Sequence, residues 1–305
     1  MALLAALLLA LLIDRLWGEP PAAIHPVVAM GFYLKVAGQR LPGLPAVAAF
    51  GAGMLVWCLG MLATGWLAGW LQALALTQLP EFLSALALAV LLKPMFSWRM
   101  LHDEVRAVEA ALENSLSAGR ERLSWLVSRD TTYLSESEVR ESAIESLAEN
   151  LNDSVVAPIF WFVLFGLPGA AIYRFANTAD AMWGYRGRWE WAGKWAAYAD
   201  DVLSWLPARL TALLIWAVTR NFCLANLRSE ARRTPSPNSG WPMAAMALAL
   251  GVYLRKPGVY ALNAGRRAPE ATDTPLALAV SLKVVVALAV LASTAIVLIA
   301  NGGGA

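Results

Sequence analysis

Long apolar runs alternate with short polar blocks along this chain, and the length of each run limits what it can do. A helix that crosses a bilayer needs about 20 apolar residues. Ala46–Leu76 meets this, and so does Pro275–Ala300, interrupted by Lys283 near its start. The other runs are short or broken: Met1–Ile13, Phe82–Leu92, Leu210–Thr219 between Arg209 and Arg220, and Pro242–Leu254 before Arg255-Lys256. Runs of about 10–14 residues are more often re-entrant, interfacial or core helices than clean spans. Val155–Ile172 is long enough, but Gly166-Leu-Pro-Gly169 breaks it at its centre. The pattern there predicts two short helices that dip in and out, keeping the flanking polar segments in one compartment. Backbone broken at membrane depth must be buried in protein or line a wet cavity. The expected fold is therefore all-α, a polytopic membrane bundle with short or re-entrant helices around a substrate pocket.

Between the runs lie polar blocks at Asp14–Arg40, Lys93–Asp153, Arg174–Asp201, Asn226–Gly240 and Arg255–Asp273. Lysine and arginine dominate most of them, which places them in the cytoplasm by the positive-inside rule. In the second block Leu101, Val105, Val108, Leu112 and Leu116 recur at helical spacing and predict an amphipathic helix against the bundle. His102 on that helix reads as an exposed polar residue. The expectation is one integral domain over 1–305 in the inner membrane, with a polar helical insertion at about 93–153 forming a cytoplasmic layer. Met1–Ile13 resembles a secretory leader, but no basic residues precede it and no small-residue cleavage site follows, so it is expected to stay.

Composition agrees. Of 305 residues 59% are hydrophobic and 15% charged, unlike a soluble domain, and the 14 tryptophans suit membrane interfaces. The net charge of +2 comes with no basic tract that could follow a phosphate backbone, which argues against nucleic acid. Cys58 and Cys223 lie in apolar stretches without metal or disulfide spacing and read as small buried hydrophobes.

Candidate chemistry centres on Arg129–Pro158, which carries the seven carboxylates Asp130, Glu136, Glu138, Glu141, Glu145, Glu149 and Asp153 beside the apolar run VVAPIFWFVLF. Ser135-x-x-Glu138 is a capping box that starts a helix near Glu136. Val139, Ala143, Ile144, Leu147 and Leu151 fall on one arc of it, with Glu138, Glu141, Glu145 and Glu149 opposite. For Glu138 and Glu141 a solvated face is the favoured reading. Glu149 and Asp153 fall at the expected C-terminal end, where the helix dipole and the nearby bilayer both disfavour anions. A cation resolves both penalties, and oxygens of Glu149, Asn150 and Asp153 suit Mg²⁺ carried on a nucleotide.

Three further constellations stand out. One runs from Tyr173 through Asn177, Asp180 and Tyr185 to Asp200-Asp201 and Arg209. The paired aspartates either share a metal or proton or, as spacing alone favours, cap a helix. Arg209 is a snorkelling anchor or an anion clamp. The loop Arg232–Trp241, with Ser236 and Asn238, is an anion nest or an ordinary Pro-rich connection. In Asp14-x-x-x-Gly18-Glu19-Pro20 with His25-Pro26, His25 can cap, ligate or do acid–base work, and a structural role is the better reading. No Walker loop, GxGxxG, HExxH or GxSxG is present, so any use of ATP requires an unusual site.

Taken in order, DRLWGEPPAAIHPV (Asp14–Val27), LSWLVSRDTTYL (Leu123–Leu134), AENLNDSVVAPIFW (Ala148–Trp161), YRFANTADAMWGY (Tyr173–Tyr185), ADDVLSWLPARL (Ala199–Leu210) and SPNSGWPMAA (Ser236–Ala245) resemble the CobD/CbiB family. These are the adenosylcobinamide-phosphate synthases of cobalamin biosynthesis, and the segments span nearly the whole chain. The resemblance implies ATP-driven joining of (R)-1-aminopropan-2-ol, free or as its O-phosphate, to a propionate carboxylate of adenosylcobyric acid. It implies ATP and Mg²⁺, membrane lipid around the chain, and later cobalamin-assembly enzymes as partners. Carried onto this chain, Glu149, Asp153, Asp200 and Asp201 become Mg²⁺ candidates. Arg129, Thr131, Asn150, Asn177, Asp180, Tyr185, Arg209, Ser236 and Asn238 become binding residues for substrate or phosphate. Glu149 and Asp153 are also catalytic candidates, with Asp130 or His25 as the base that strips the attacking ammonium. The chain departs from the family pattern with Glu19 for aspartate, Ser128 for glycine and Leu151 for threonine or serine. Tyr198 stands where an arginine is usual, with Lys194 one helical turn earlier as a possible substitute.

Two other functions fit parts of the chain. Arg209 in an apolar setting suits a transporter path, but paired halves of similar length are missing. An AmpE-like, non-catalytic signalling protein would share the APxFW and W-x-P-x-R-L framework, but the AEN-x-x-D, RDT and SPN elements favour the synthase.

Overall fold

The computed structural model describes residues 1–302. Its helices are α1 (Ala2–Trp17), α2 (Pro26–Gly38), α3 (Ala46–Gln78), α4 (Glu81–Leu92), α5 (Trp98–Asn114), α6 (Leu116–Leu123) and α7 (Glu136–Leu151). A π-helical turn, Asn152–Val156, leads into α8 (Ala157–Trp183), followed by α9 (Lys194–Thr219), α10 (Leu224–Ala231) and α11 (Gly240–Leu250). Two short strands, β1 (Leu254–Lys256) and β2 (Tyr260–Leu262), precede α12 (Asp273–Gly302). The nearly all-helical fold matches the hydropathy pattern, with the hairpin as an addition to it.

Length and composition qualify five helical stretches to cross a membrane: Ala46–Gln78, Glu81–Asn114, Glu136–Trp183, Lys194–Thr219 and Asp273–Gly302. The apolar runs alone marked only two comfortable spans. The difference arises because helices continue through polar residues, as α9 does when it joins Lys194–Arg209 to the Leu210–Thr219 run.

The chain divides into two compact units, the first formed by Met1–Ser97, Ala157–Ser204 and the segment from Leu291 onward. In it α1 packs on α4, and α3 packs on α8. The expected break inside α8 is present, since Gly166 has φ 67° and ψ −152°, a region that side chains with a Cβ rarely enter. The chain reverses there. Trp161 Nε1 donates to Leu203 O at 3.1 Å, and Tyr173 Oη lies 3.1 Å from Ser204 Oγ. In a continuous helix residues 161 and 173 would be about 18 Å apart; here they reach adjacent residues of α9. The reversal frees backbone groups, and Gln72 of α3 meets one of them, its Oε1 accepting from Leu167 N at 2.7 Å.

The second unit comprises Trp98–Val156 and Trp205–Val290. The capping box begins α7 as expected, with Ser135 Oγ accepting from Glu138 N at 3.4 Å and Glu138 Oε2 accepting from Ser135 N at 2.8 Å. The apolar arc Val139, Ala143, Ile144, Leu147 and Leu151 is buried. Of the two acids expected on a solvated face, Glu138 is half-buried at the start of α7, but Glu141 is enclosed, because α11 and β1 pack on α7 as well as α5 and α6. Glu141 is only 1% exposed, and its Oε2 accepts from Arg255 N at 3.1 Å. Nor does α7 end at Glu149. The backbone stays helical through the π turn into α8, so the expected dipole penalty on Glu149 and Asp153 does not arise.

Two details complete this unit. The amphipathic helix α5 buries Leu101, Val105, Val108 and Leu112, whereas Leu116 belongs to α6 because Ser115 caps a new helix there. Arg140 of α7 donates its Nε to Glu109 Oε1 of α5 at 2.9 Å, and Thr274 Oγ1 donates to Glu109 Oε2 at 2.6 Å. The strands pair through Lys256-Pro-Gly-Val259, where Val259 N donates to Lys256 O at 2.9 Å and Gly258 has φ 73°. That is the geometry of a type II turn.

Replacing Gln72 with leucine would leave the Leu167 amide without its acceptor. The expected loss is about 1–3 kcal/mol, read as a lower melting temperature in detergent; an unchanged melt would show that the amide finds another partner.

Candidate functional site

The acidic stretch and the hairpin together enclose a polar cavity of about 190 Å³ in the second unit. From the sequence candidates it gathers Arg129, Glu149 and Asn150, and it adds Ser142, Glu145, Ser146, Lys256 and Tyr260. Glu141, Glu145 and Glu149 recur at four-residue intervals, one file on a helix, and the lower two reach the cavity. Arg129 Nη2 lies 3.3 Å from Glu145 Oε2 and also donates to Ser142 Oγ. Glu145 is 6% exposed, and its Oε1 is buried without a hydrogen-bond partner. Burial, and next the Glu145 carboxylate, push the Tyr260 phenol far above its usual range, so it stays protonated. Two cations, two carboxylates and several hydroxyls thus converge on one small space.

Lys256 and Tyr260 escaped the sequence reading because they lie more than 100 residues beyond Glu149 in the chain. The signal was present as Pro257-Gly258 between Lys256 and Val259, a turn dipeptide. Glu145 was seen but assigned to the helix's polar arc.

The neighbours of this cavity have other duties. Asp130 is fully exposed, and hydrogen bonds from the Thr132 side chain and backbone hold its carboxyl below the usual range. Thr131 is buried, with Oγ1 donating to Arg120 O at 3.0 Å. Asp153 sits on the π turn, where Asn152 Nδ2 donates to its Oδ1 at 2.7 Å, and it is not among the lining residues. Among the described residues no group of three or more His, Cys, Asp or Glu side chains is placed to hold a metal.

Arg209 is enclosed rather than free to move. Its guanidinium lies 4.4 Å from the Trp205 ring and 4.8 Å from the Trp241 ring. Nη1 donates to Asn238 Oδ1 at 2.7 Å and Nη2 to Pro237 O at 3.0 Å. Ser236 Oγ accepts from the amides of Asn238 and Ser239, both at 3.2 Å. The loop's donors are therefore engaged within the protein.

The remaining candidates lie in the first unit. Asp200 and Asp201 are interior to α9, not a cap, because the helix begins at Lys194. Asn177 Nδ2 donates to Asp200 Oδ1 at 3.5 Å, and Asp180 is within electrostatic reach of Asp201. A cavity of about 340 Å³ brings Tyr185, Lys194 and Tyr198 to one wall, although Lys194 Nζ packs 4.5 Å from the Trp191 ring. His25 has both ring nitrogens occupied, Nδ1 accepting from Val27 N and Nε2 facing Glu19 Oε2, each at 3.2 Å. Glu19 Oε1 meets Lys93 Nζ at 2.8 Å, and Lys93 meets Asp14 Oδ1 at 3.1 Å. Glu19 and Lys93 of this chain of charges line a mainly apolar cavity of about 840 Å³, and none of the predicted site residues lines it. Of the cysteines, Cys58 is half-buried and Cys223 exposed, and both are free.

Residues 7–295 match the family model described as CobD/Cbib protein. The chain is 41% identical over 281 residues to the probable cobalamin biosynthesis protein CobD of Pyrococcus furiosus, covering 89% of this chain and 91% of that one. It is 37% identical over 275 residues to the cobalamin biosynthesis protein CobD of Dehalococcoides mccartyi, covering 86% and 87%. Against the protein of the same name from Stutzerimonas stutzeri the identity is 41% over 254 residues, covering 82% of each. No solved structure matches the chain.

Replacing Lys93, which is 3% exposed, with methionine would remove the ammonium that Asp14 and Glu19 share. Removing one partner of such a buried pair costs about 3–5 kcal/mol. His25→Asn keeps an acceptable N-cap for α2. Tryptophan-fluorescence melts in detergent should show a large drop for the first variant and a small one for the second.

Proposed function

This chain belongs to the CobD/CbiB family, and from that membership and the α7 cavity we propose an ATP-dependent amide ligase of cobalamin biosynthesis. The reaction joins (R)-1-aminopropan-2-ol or its O-phosphate to a propionate carboxylate of adenosylcobyric acid. The observation that carries this reading is the convergence of Arg129, Glu149, Asn150 and Lys256 on one polar cavity. A carboxylate is a poor electrophile, and phosphorylating it gives an acyl phosphate that an amine can attack. Such chemistry needs cations against the phosphates, held positions and exclusion of bulk water.

Arg129 and Lys256 supply the cations. Arg129, held by Glu145 and Ser142, presents a fixed fork, while Lys256 approaches from the hairpin. At about 190 Å³ the cavity takes the reacting ends of the substrates. Glu149 and Asn150 fit Mg²⁺ that arrives on the nucleotide, since that ion needs only one or two protein oxygens beside phosphates and water. When bound, it would neutralise charge on the transferred phosphoryl group. Asp153, on the π turn, fits a supporting place near Glu149, and the Asp180, Asp200 and Asp201 group in the first unit is a separate candidate for substrate or cation binding. The lysine- and arginine-rich polar blocks favour an active site on the cytoplasmic side of the inner membrane.

Purified protein in detergent, given adenosylcobyric acid, the amine donor and Mg-ATP, should yield a corrinoid of increased mass together with ADP. Arg129→Ala and Lys256→Ala should each lower the rate at least about 10-fold, the loss of one charged contact to phosphate. Absence of both products would favour the signalling or transport readings. A Glu149→Ala variant that keeps full activity at saturating Mg²⁺ would remove Glu149 from metal binding.

A further inference from the structure

The amine donor reaches the site as an ammonium and must lose a proton before it can attack. We propose that Oε1 of Glu145 takes that proton. This inference rests on the ligase reading and adds a catalytic residue to it.

Glu145 lines the cavity, yet it is 94% buried by its 6% exposure. Arg129 holds Oε2 at 3.3 Å and the Tyr260 hydroxyl interacts with the same carboxylate, while Oε1 is buried without a well-aligned hydrogen bond. Buried carboxylate oxygens rarely remain unpaired, and an incoming ammonium supplies the missing donor. Held on one oxygen and open on the other, the carboxylate has the arrangement of an oriented base.

The other candidates are less suited. Asp130 is fully exposed, with its carboxyl held low by Thr132. His25 already uses both nitrogens. Tyr260 stays a phenol and so donates rather than accepts. The charged and titratable groups around Glu145 are Arg129 before α7, Glu141 and Glu149 on it, and Lys256 and Tyr260 on the hairpin. Glu141 also has a buried Oε1 without a partner, but it does not line the cavity, and its Oε2 accepts from the Arg255 amide.

In the step, an N–H bond of the ammonium breaks and an O–H bond forms on Glu145. The freed lone pair on nitrogen forms the C–N bond at the acyl carbon. The C–O bond to phosphate then breaks, and phosphate leaves with the electron pair and the second nitrogen proton. Glu145 returns its proton to water when the product leaves. Proton transfer from ammonium to carboxylate removes two charges from a low-dielectric space, which burial favours.

Hydroxylamine separates proton removal from the rest of the reaction, because it is already unprotonated at neutral pH. With adenosylcobyric acid and Mg-ATP, Glu145→Gln, whose amide oxygen still offers Arg129 an acceptor, is expected to lose far less of its hydroxamate formation than of its amide formation. With 1-aminopropan-2-ol its amide formation should fall by about 100-fold or more, the usual contribution of a general base. Wild-type amide formation in Glu145→Gln, or equal loss of amide and hydroxamate, would overturn the assignment. Should that variant fail to fold, Glu145→Asp withdraws the carboxylate by one methylene and is expected to slow amide formation alone; equal slowing of both reactions would overturn the assignment. A wild-type protein that forms neither product would overturn the ligase reading and this inference with it, whereas failure in the variant alone leaves the ligase reading standing.

Discussion

The buried carboxylates of α7 are met by cations and donors from other elements, and the second unit is organised around them. Glu141 receives the Arg255 amide, and Glu145 receives Arg129. One residue before Glu141 on the same helix, Arg140 reverses the sign and draws in Glu109, which Thr274 also holds. An unpaired buried charge is costly enough to unfold a marginal protein. The loop before α7, the hairpin after α11 and the start of α12 are therefore tied to one helix. The first unit uses the same device on a smaller scale, with Lys93 between Asp14 and Glu19.

A second constraint acts on the backbone. Where α8 reverses at Gly166, a hydrogen-bond donor is released among apolar residues, and a side chain must take the place of the helix acceptor. Gln72 does so from α3. Pairing of this kind is what allows broken helices at membrane depth, and it explains why an otherwise apolar helix such as α3 carries an amide. Trp161 and Tyr173 then fasten both limbs to neighbouring residues of α9.

Part of the site could be read from the chain. Arg129 and Glu149-Asn150 mark the two ends of one acidic stretch, but Arg129 precedes α7, and the fold of its loop is what brings it beside Glu145. Lys256 and Tyr260 could not be placed, because nothing local says which helix a two-stranded hairpin will cover. The same gap misjudged Glu141 and Glu145, since a helical wheel gives the angle of a residue but not what packs against that angle. Arg209, Ser236 and Asn238 read from the chain as anion-binding candidates, and the structure joins them to one another. The paired aspartates were also misread as a cap, because α9 starts at Lys194, well before the apolar run that begins at Leu210.

Hydropathy, turn residues and capping signals are local, and from them follow the helical class, the break at Gly166, the start of α7 at Glu136 and the buried arc of that helix. Each depends on backbone sterics, side-chain period or the loss of water from apolar surface. Which face of α7 is dry, which cations meet its carboxylates, and which oxygen stays open to a ligand depend on groups as distant in the chain as Arg255 is from Glu141, 114 residues. Only folding brings those groups within the few ångströms at which charge pairing and hydrogen bonding act. The acidity of α7 was written in the sequence; that its acids are enclosed was decided by packing.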